Sequence, residues 1–112
     1  MTVRDLIETM RREIRDSDDL QPDRAAELLT KLTALLGNIN DEVRVADADY
    51  AAVLLNFLNS EQKANRARIH AELSPEYQRK RQARDAKEVV LEMIGSLKYL
   101  VRSRMEEMRL SR

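Results

Sequence analysis

From Leu28 to Phe57 the apolar positions step by four and three without losing phase: Leu28, Leu32, Leu36, Ile39, Val43, Ala46, Tyr50, Val53 and Phe57. Such steps return each side chain to one face of an α-helix. Gly37 lies inside the run. Glycine in a helix interior costs roughly 0.5–1 kcal/mol relative to alanine, and Gly37-Asn38 resembles a C-cap, yet a break there would reset the phase and none occurs. One continuous helix is therefore predicted. Its stripe thins through Ser60, Ala64, Ala67 and Ala71, which places the helix at about residues 22–73 and gives it about 75 Å of length at 1.5 Å per residue. A helix that long cannot be the core of a small globule; it has to bury its stripe lengthwise on another helix.

Two shorter patterns supply the partners. Val3, Leu6, Ile7, Met10 and Ile14 share a face, and Thr2 with Asp5 forms a start signal, so a first helix is predicted over 2–16. It stops at Asp16-Ser17-Asp18-Asp19, whose side chains compete for backbone hydrogen bonds, and Pro22 suits the first turn of the next helix. Ser74-Pro75-Glu76 combines a cap, a first-turn proline and a dipole-compatible acid. It opens a third helix over 75–111, with Ala83, Ala86, Val90, Ile94, Leu97, Val101, Met105 and Met108 inward and Gly95 beside them for close backbone approach. With 36% of residues charged, 4% aromatic, and two glycines and two prolines for turns, the composition also favours few, long, exposed helices. The fold class is all-α: residues 1–112 form a single helical domain, a long antiparallel helical hairpin of coiled-coil type, with a short N-terminal helix packed on the long helix.

In an antiparallel hairpin the numbers of facing residues have a constant sum. A sum of about 147 matches the two stripes, placing Ala64 opposite Ala83, Phe57 opposite Val90, Val53 opposite Ile94 and Ile39 opposite Met108. The first helix then covers Ala25, Leu28 and Leu32, with Ile14 near Ala25 and Ile7 near Leu32, end to end with the third. Further apolar residues, Leu29, Leu54, Leu55, Leu58, Val89, Leu91, Met93 and Leu100, widen the stripe beyond one partner helix. Leu54, Leu55, Leu58, Leu91, Met93 and Leu100 are the candidate oligomer interface; the alternative is scattered surface leucines.

The chemistry-bearing residue types are sparse. The sequence has no cysteine, which excludes disulfides, thiolate metal sites and cysteine nucleophiles and fits a cytoplasmic setting. No apolar run approaches the ~20 residues of a membrane span, and residues 1–15 lack a signal peptide's apolar block. His70, the single histidine, has no ligand or catalytic partner at helical spacing and reads as a solvated surface residue. Asp47 and Asp49, two apart on a helix, diverge and read as flanking charges. No phosphate-cradling, dinucleotide-binding, zinc-hydrolase or nucleophile-elbow motif is present. The expectation is a non-enzymatic protein with no cofactor, metal or small-molecule substrate; an enzyme would need a convergent polar pocket.

Net charge is zero but uneven. Residues 1–62 carry 7 Lys and Arg against 13 Asp and Glu, and residues 63–112 carry 13 against 7, leaving −6 and +6. Such a split serves either a nucleic-acid surface or attraction between helices or subunits. The basic residues concentrate at the predicted hairpin tip: Lys63, Arg66, Arg68, Arg79, Lys80, Arg81, Arg84 and Lys87, with Tyr77 among them. This cluster could contact phosphates, with Tyr77 stacking on a base, or an acidic protein. In the other reading the cations solvate a weakly apolar hairpin end and Tyr77 packs across the turn.

Leu36-Gly37-Asn38-Ile39, the run from Glu61 to Arg68, Ser74-Pro75-Glu76-Tyr77 and the segment from Ile94 to Tyr99 resemble a family of small helical proteins of tailed bacteriophages. The resemblance spans most of the chain after residue 20. It implies a phage origin among replication and recombination genes and carries over no activity. The function expected is that of an interaction or scaffold protein, a homo-oligomer of helical hairpins binding a macromolecular partner in phage DNA metabolism or host interference; the alternative is direct nucleic-acid binding through the basic tip.

Overall fold

The computed structural model describes residues 2–16, 20–61 and 63–110. Four helices account for nearly all of them: α1 (Val3–Asp16), α2 (Pro22–Ser60), α3 (Ala64–Glu72) and α4 (Pro75–Leu110). The predicted all-α class holds: α2 and α4 pack against each other, and the short α1 and α3 pack as well. Ser17, Asp18 and Asp19, where a helix stop was predicted, lie outside the described residues, as does Ser111. The chain groups into two compact units, Met1–Gly37 with Glu88–Arg112, and Asn38–Lys87.

The first unit combines α1, the start of α2 and the latter part of α4. At the head of α1 the Thr2 hydroxyl accepts the Asp5 N–H at 3.1 Å and the Asp5 carboxylate accepts the Thr2 N–H at 3.2 Å. This reciprocal cap satisfies amides that the helix leaves unpaired. Ile7 and Met10 of α1, Ala25, Leu28, Leu32 and Leu35 of α2, and Val90, Met93, Ile94 and Leu97 of α4 are buried. Each large side chain so buried is worth about 1.5–3 kcal/mol. Leu35, not Leu36, takes the buried place before Gly37.

The predicted packing of α1 on α2 is present: the Glu13 carboxylate accepts two parallel hydrogen bonds from the Arg24 guanidinium. The predicted end-to-end placement of α1 and the last helix is not. Arg11 and Ile14 of α1 line one groove with Glu92, Met93 and Ser96 of α4, so the two helices lie side by side. The reason is apolar area: α4 carries a stripe wide enough for two neighbours, and α1 is the second. Gly95 admits no close backbone either; nothing lies within 4 Å of where its Cβ would be.

The second unit is the hairpin, and here the sequence-based register is corrected. The long helix predicted to reach residue 73 ends at Ser60; Lys63 is extended (φ −115°, ψ 126°) and α3 begins at Ala64. Phe57 then faces His70, Tyr50 faces Tyr77, and Asp47 faces Arg84. Facing numbers sum to 127–131, not about 147, a slip of about five helical turns. The reversal therefore lies between α2 and α3, and α3 and α4 both run back along α2. Ser74 is a junction between them: its hydroxyl donates to the Ala71 carbonyl and accepts the Tyr77 N–H. The cap chemistry at Ser74-Pro75 is real, but it restarts a helix without reversing the chain. Ala67 and Ala71 are buried as their spacing suggested, from α3 and not from a continuation of α2.

Candidate interaction surfaces

Near the reversal, aromatic rings and cations form a ladder along the hairpin. The His70 imidazole stacks on Phe57 with centroids 5.6 Å apart and 18° between planes, and its Nε2 lies 3.6 Å from the Glu61 carboxylate. His70 is exposed, as predicted, with 46% of its side chain open to solvent, and it also packs one ring face on Phe57. Further along, Tyr50 and Tyr77 meet at 5.3 Å. The Lys80 ammonium sits 4.4 Å from the Tyr50 centroid and the Arg81 guanidinium 6.0 Å from that of Tyr77, within range for cation–π attraction. Burial, reinforced by the nearby Glu72 carboxylate, pushes the Tyr50 phenol up from its ordinary pKa.

The predicted basic cluster is consequently split. Arg84 holds the Asp47 carboxylate through two hydrogen bonds, Arg79 lies 3.8 Å from Glu76, and half-buried Lys80 is committed to Tyr50. Tyr77 is half-buried and packs against Tyr50. Lys87 is half-buried on α4. Lys63, Arg66 and Arg68, at and after the start of α3, are exposed, and among the described residues they form no ion pair.

The predicted interface leucines also divide. Met93 is only 5% exposed and belongs to the core of the first unit; α1 covers it, so it leaves the candidate interface. Leu100, like Val89, is half-buried on α4, and Leu91 is exposed. In the hairpin unit Leu55 is 57% and Leu58 42% exposed, and Leu54 is half-buried.

Missed by sequence reasoning were the Asp47–Arg84 pair and the Glu61–His70–Phe57 cluster. A signal existed. Tyr50 and Phe57 are seven apart, as are His70 and Tyr77, so one register faces both aromatic pairs at once, and it is the register observed.

A groove of about 460 Å³ runs between α2 and α4 in the hairpin unit, with Ala46, Ala83 and Ala86 on its floor and Asp41, Asp49 and Arg79 at its rim. Its methyl-lined floor suits an apolar side chain, and its rim suits a partly charged one. No helix of the described residues is long and apolar enough to cross a membrane. Compared with protein-family models, curated proteins and solved structures, the chain matches none.

Proposed function

We propose that this chain is a non-enzymatic interaction protein, an oligomeric helical hairpin that presents a helix face to a macromolecular partner. One observation carries the reading. Between Ala48 and Leu58, α2 exposes Ala48, Ala51, Leu55 and Leu58 on a face that α3 and α4 leave uncovered. In a chain with 36% charged residues this face has none. Scattered exposed leucines need no explanation, but a contiguous uncharged stripe on one helix marks a contact surface. On this reading the partner belongs to phage DNA metabolism or host interference, as the resemblance to phage proteins would imply.

Light scattering on wild type and on Leu55→Gln/Leu58→Gln, a change that keeps helix propensity, tests the reading. Wild type should be larger than a monomer at tens of micromolar and the double variant should shift toward monomer. A strictly monomeric wild type removes the basis for the oligomer.

A second reading, nucleic-acid binding, now rests on Lys63, Arg66 and Arg68, exposed cations that form no ion pair among the described residues. Their joint replacement by Gln should weaken binding to DNA or RNA and make its salt dependence shallower, because fewer counterions are released. Absence of any wild-type binding at about 50 mM salt, where non-specific contacts are strong, ends that reading.

A further inference from the structure

Resting on the oligomer reading above, we propose that the occupant of the exposed α2 face is the same face of a second copy, packed antiparallel about a two-fold axis, with Ala48 against Leu58 and Ala51 against Leu55. The pattern itself points there. Positions 48, 51, 55 and 58 are spaced three, four and three, a spacing that reads the same in both directions. Their sizes do not: two alanines come first and two leucines last. Two-fold reversal therefore sets every leucine opposite an alanine.

That pairing has a geometric consequence. Interaxial distance between packed helices depends on the side chains at the contact, about 8–10 Å. Antiparallel, the large-on-small pairs hold one spacing along the whole contact. In a parallel pair, alanines would meet alanines at one end and leucines would meet leucines at the other, splaying the helices and leaving voids whose lining loses its dispersion contacts. Opposed helix dipoles also favour the antiparallel arrangement.

Charges frame the face without entering it. The acidic residues of α2 in this stretch are Asp47 and Asp49. Asp47 turns to Arg84 across the hairpin, and Asp49 lines the groove beside Ala46. Arg44 stands one turn before Ala48, and Glu61 follows Leu58 after Asn59 and Ser60. The core of the contact is thus apolar and its ends are charged, the composition expected of an isologous interface. It is one helix wide, less than the roughly 1,200 Å² at which stable interfaces begin, so association should be measured at micromolar concentration or above.

A size swap tests the pairing. Ala51→Leu sets leucine against leucine and Leu55→Ala sets alanine against alanine, so each variant alone should self-associate more weakly than wild type, by about tenfold for a loss near 1.4 kcal/mol. Mixed in equal amounts, the two chains restore a leucine–alanine pair on both sides of the axis, and a heterodimer of near wild-type affinity should form. Sedimentation equilibrium with one chain fluorescently labelled reads all three. Helical circular dichroism of each variant checks folding.

Since the chain has no cysteine, Ala48→Cys and Leu58→Cys chains supply a second measurement. Oxidised together they should give the mixed disulfide and little of either homodimer, because like positions would lie about 15 Å apart, beyond the about 7 Å Cα limit of a disulfide. A wild-type oligomer in which the size swap restores nothing, or in which the homodimeric disulfides dominate, overturns this pairing and leaves the oligomer reading standing. A monomeric wild type overturns both.

Discussion

The Arg84 guanidinium grips the Asp47 carboxylate from across the hairpin, with hydrogen bonds of 3.4 and 2.8 Å between residues 37 apart in sequence. A register matched on the apolar stripes alone would instead have set Arg84 opposite Lys63, a like charge. The side chains of the pair remain 56% and 34% exposed, so solvent and salt screen it, and its coupling should be about 0.2–1 kcal/mol. A double-mutant cycle with Asp47→Asn and Arg84→Gln, read by chemical unfolding at low salt, should return a favourable coupling in that range. Zero coupling at low salt would show that solvent screening cancels the pair's contribution to stability.

Acid should loosen the seat of α1. Hydrogen bonds from Arg24 hold the carboxyl groups of Glu13 and Glu27 below the usual carboxylate range. A carboxylate depressed on folding contributes stability above its unfolded pKa, and that contribution is lost as pH falls through the folded value. Arg24 stays charged throughout, so the loss begins below about pH 4.5, where glutamate ordinarily titrates. The thermal midpoint of wild type should fall more steeply between pH 6 and pH 3, a range chosen to bracket that titration, than the midpoint of Glu13→Gln. Parallel profiles for the two proteins would show that the pair contributes nothing.

Met93 and Leu55 were both drawn from the widened stripe, but they now predict opposite phenotypes. Buried Met93→Ala should cost about 2–5 kcal/mol through lost transfer energy and a residual cavity. Exposed Leu55→Ala should change the stability of the isolated chain by no more than about 0.5 kcal/mol while weakening self-association. Urea denaturation at dilute concentration, paired with light scattering at high concentration, separates the two effects. Equal destabilisation by both substitutions would contradict the burial assignment.

Gly37 sits inside α2, and nothing lies within 4 Å of the Cβ it lacks. Its replacement by alanine should therefore stabilise the chain by about 0.5–1 kcal/mol, mainly by restricting the unfolded state. Gly95 in α4 is in the same situation and should respond alike. A raised urea midpoint at unchanged slope is the expected readout; a lowered one would mean that another chain approaches the glycine closely in the assembled state.

The sequence by itself determined the helical class, the continuity of α2 through Gly37, the capped start of α1 and its seat on α2, and the restart at Ser74-Pro75. These are local properties: periodicity, capping and proline chemistry act within a few residues and leave their mark directly in the residue order. The position of the reversal was decided only in the tertiary structure. Residues Ser60 to Lys63 contain neither glycine nor proline, so nothing local announces a turn. The chain turns there because Phe57, Tyr50 and Asp47 then meet His70, Tyr77 and Arg84, contacts whose energy appears only when distant segments come together. The assignment of apolar residues was non-local too. Met93 is surplus to a single neighbour of α4 and is core because α1 lies alongside it, whereas Leu55 and Leu58 stay exposed because no further helix among the described residues covers that face of α2.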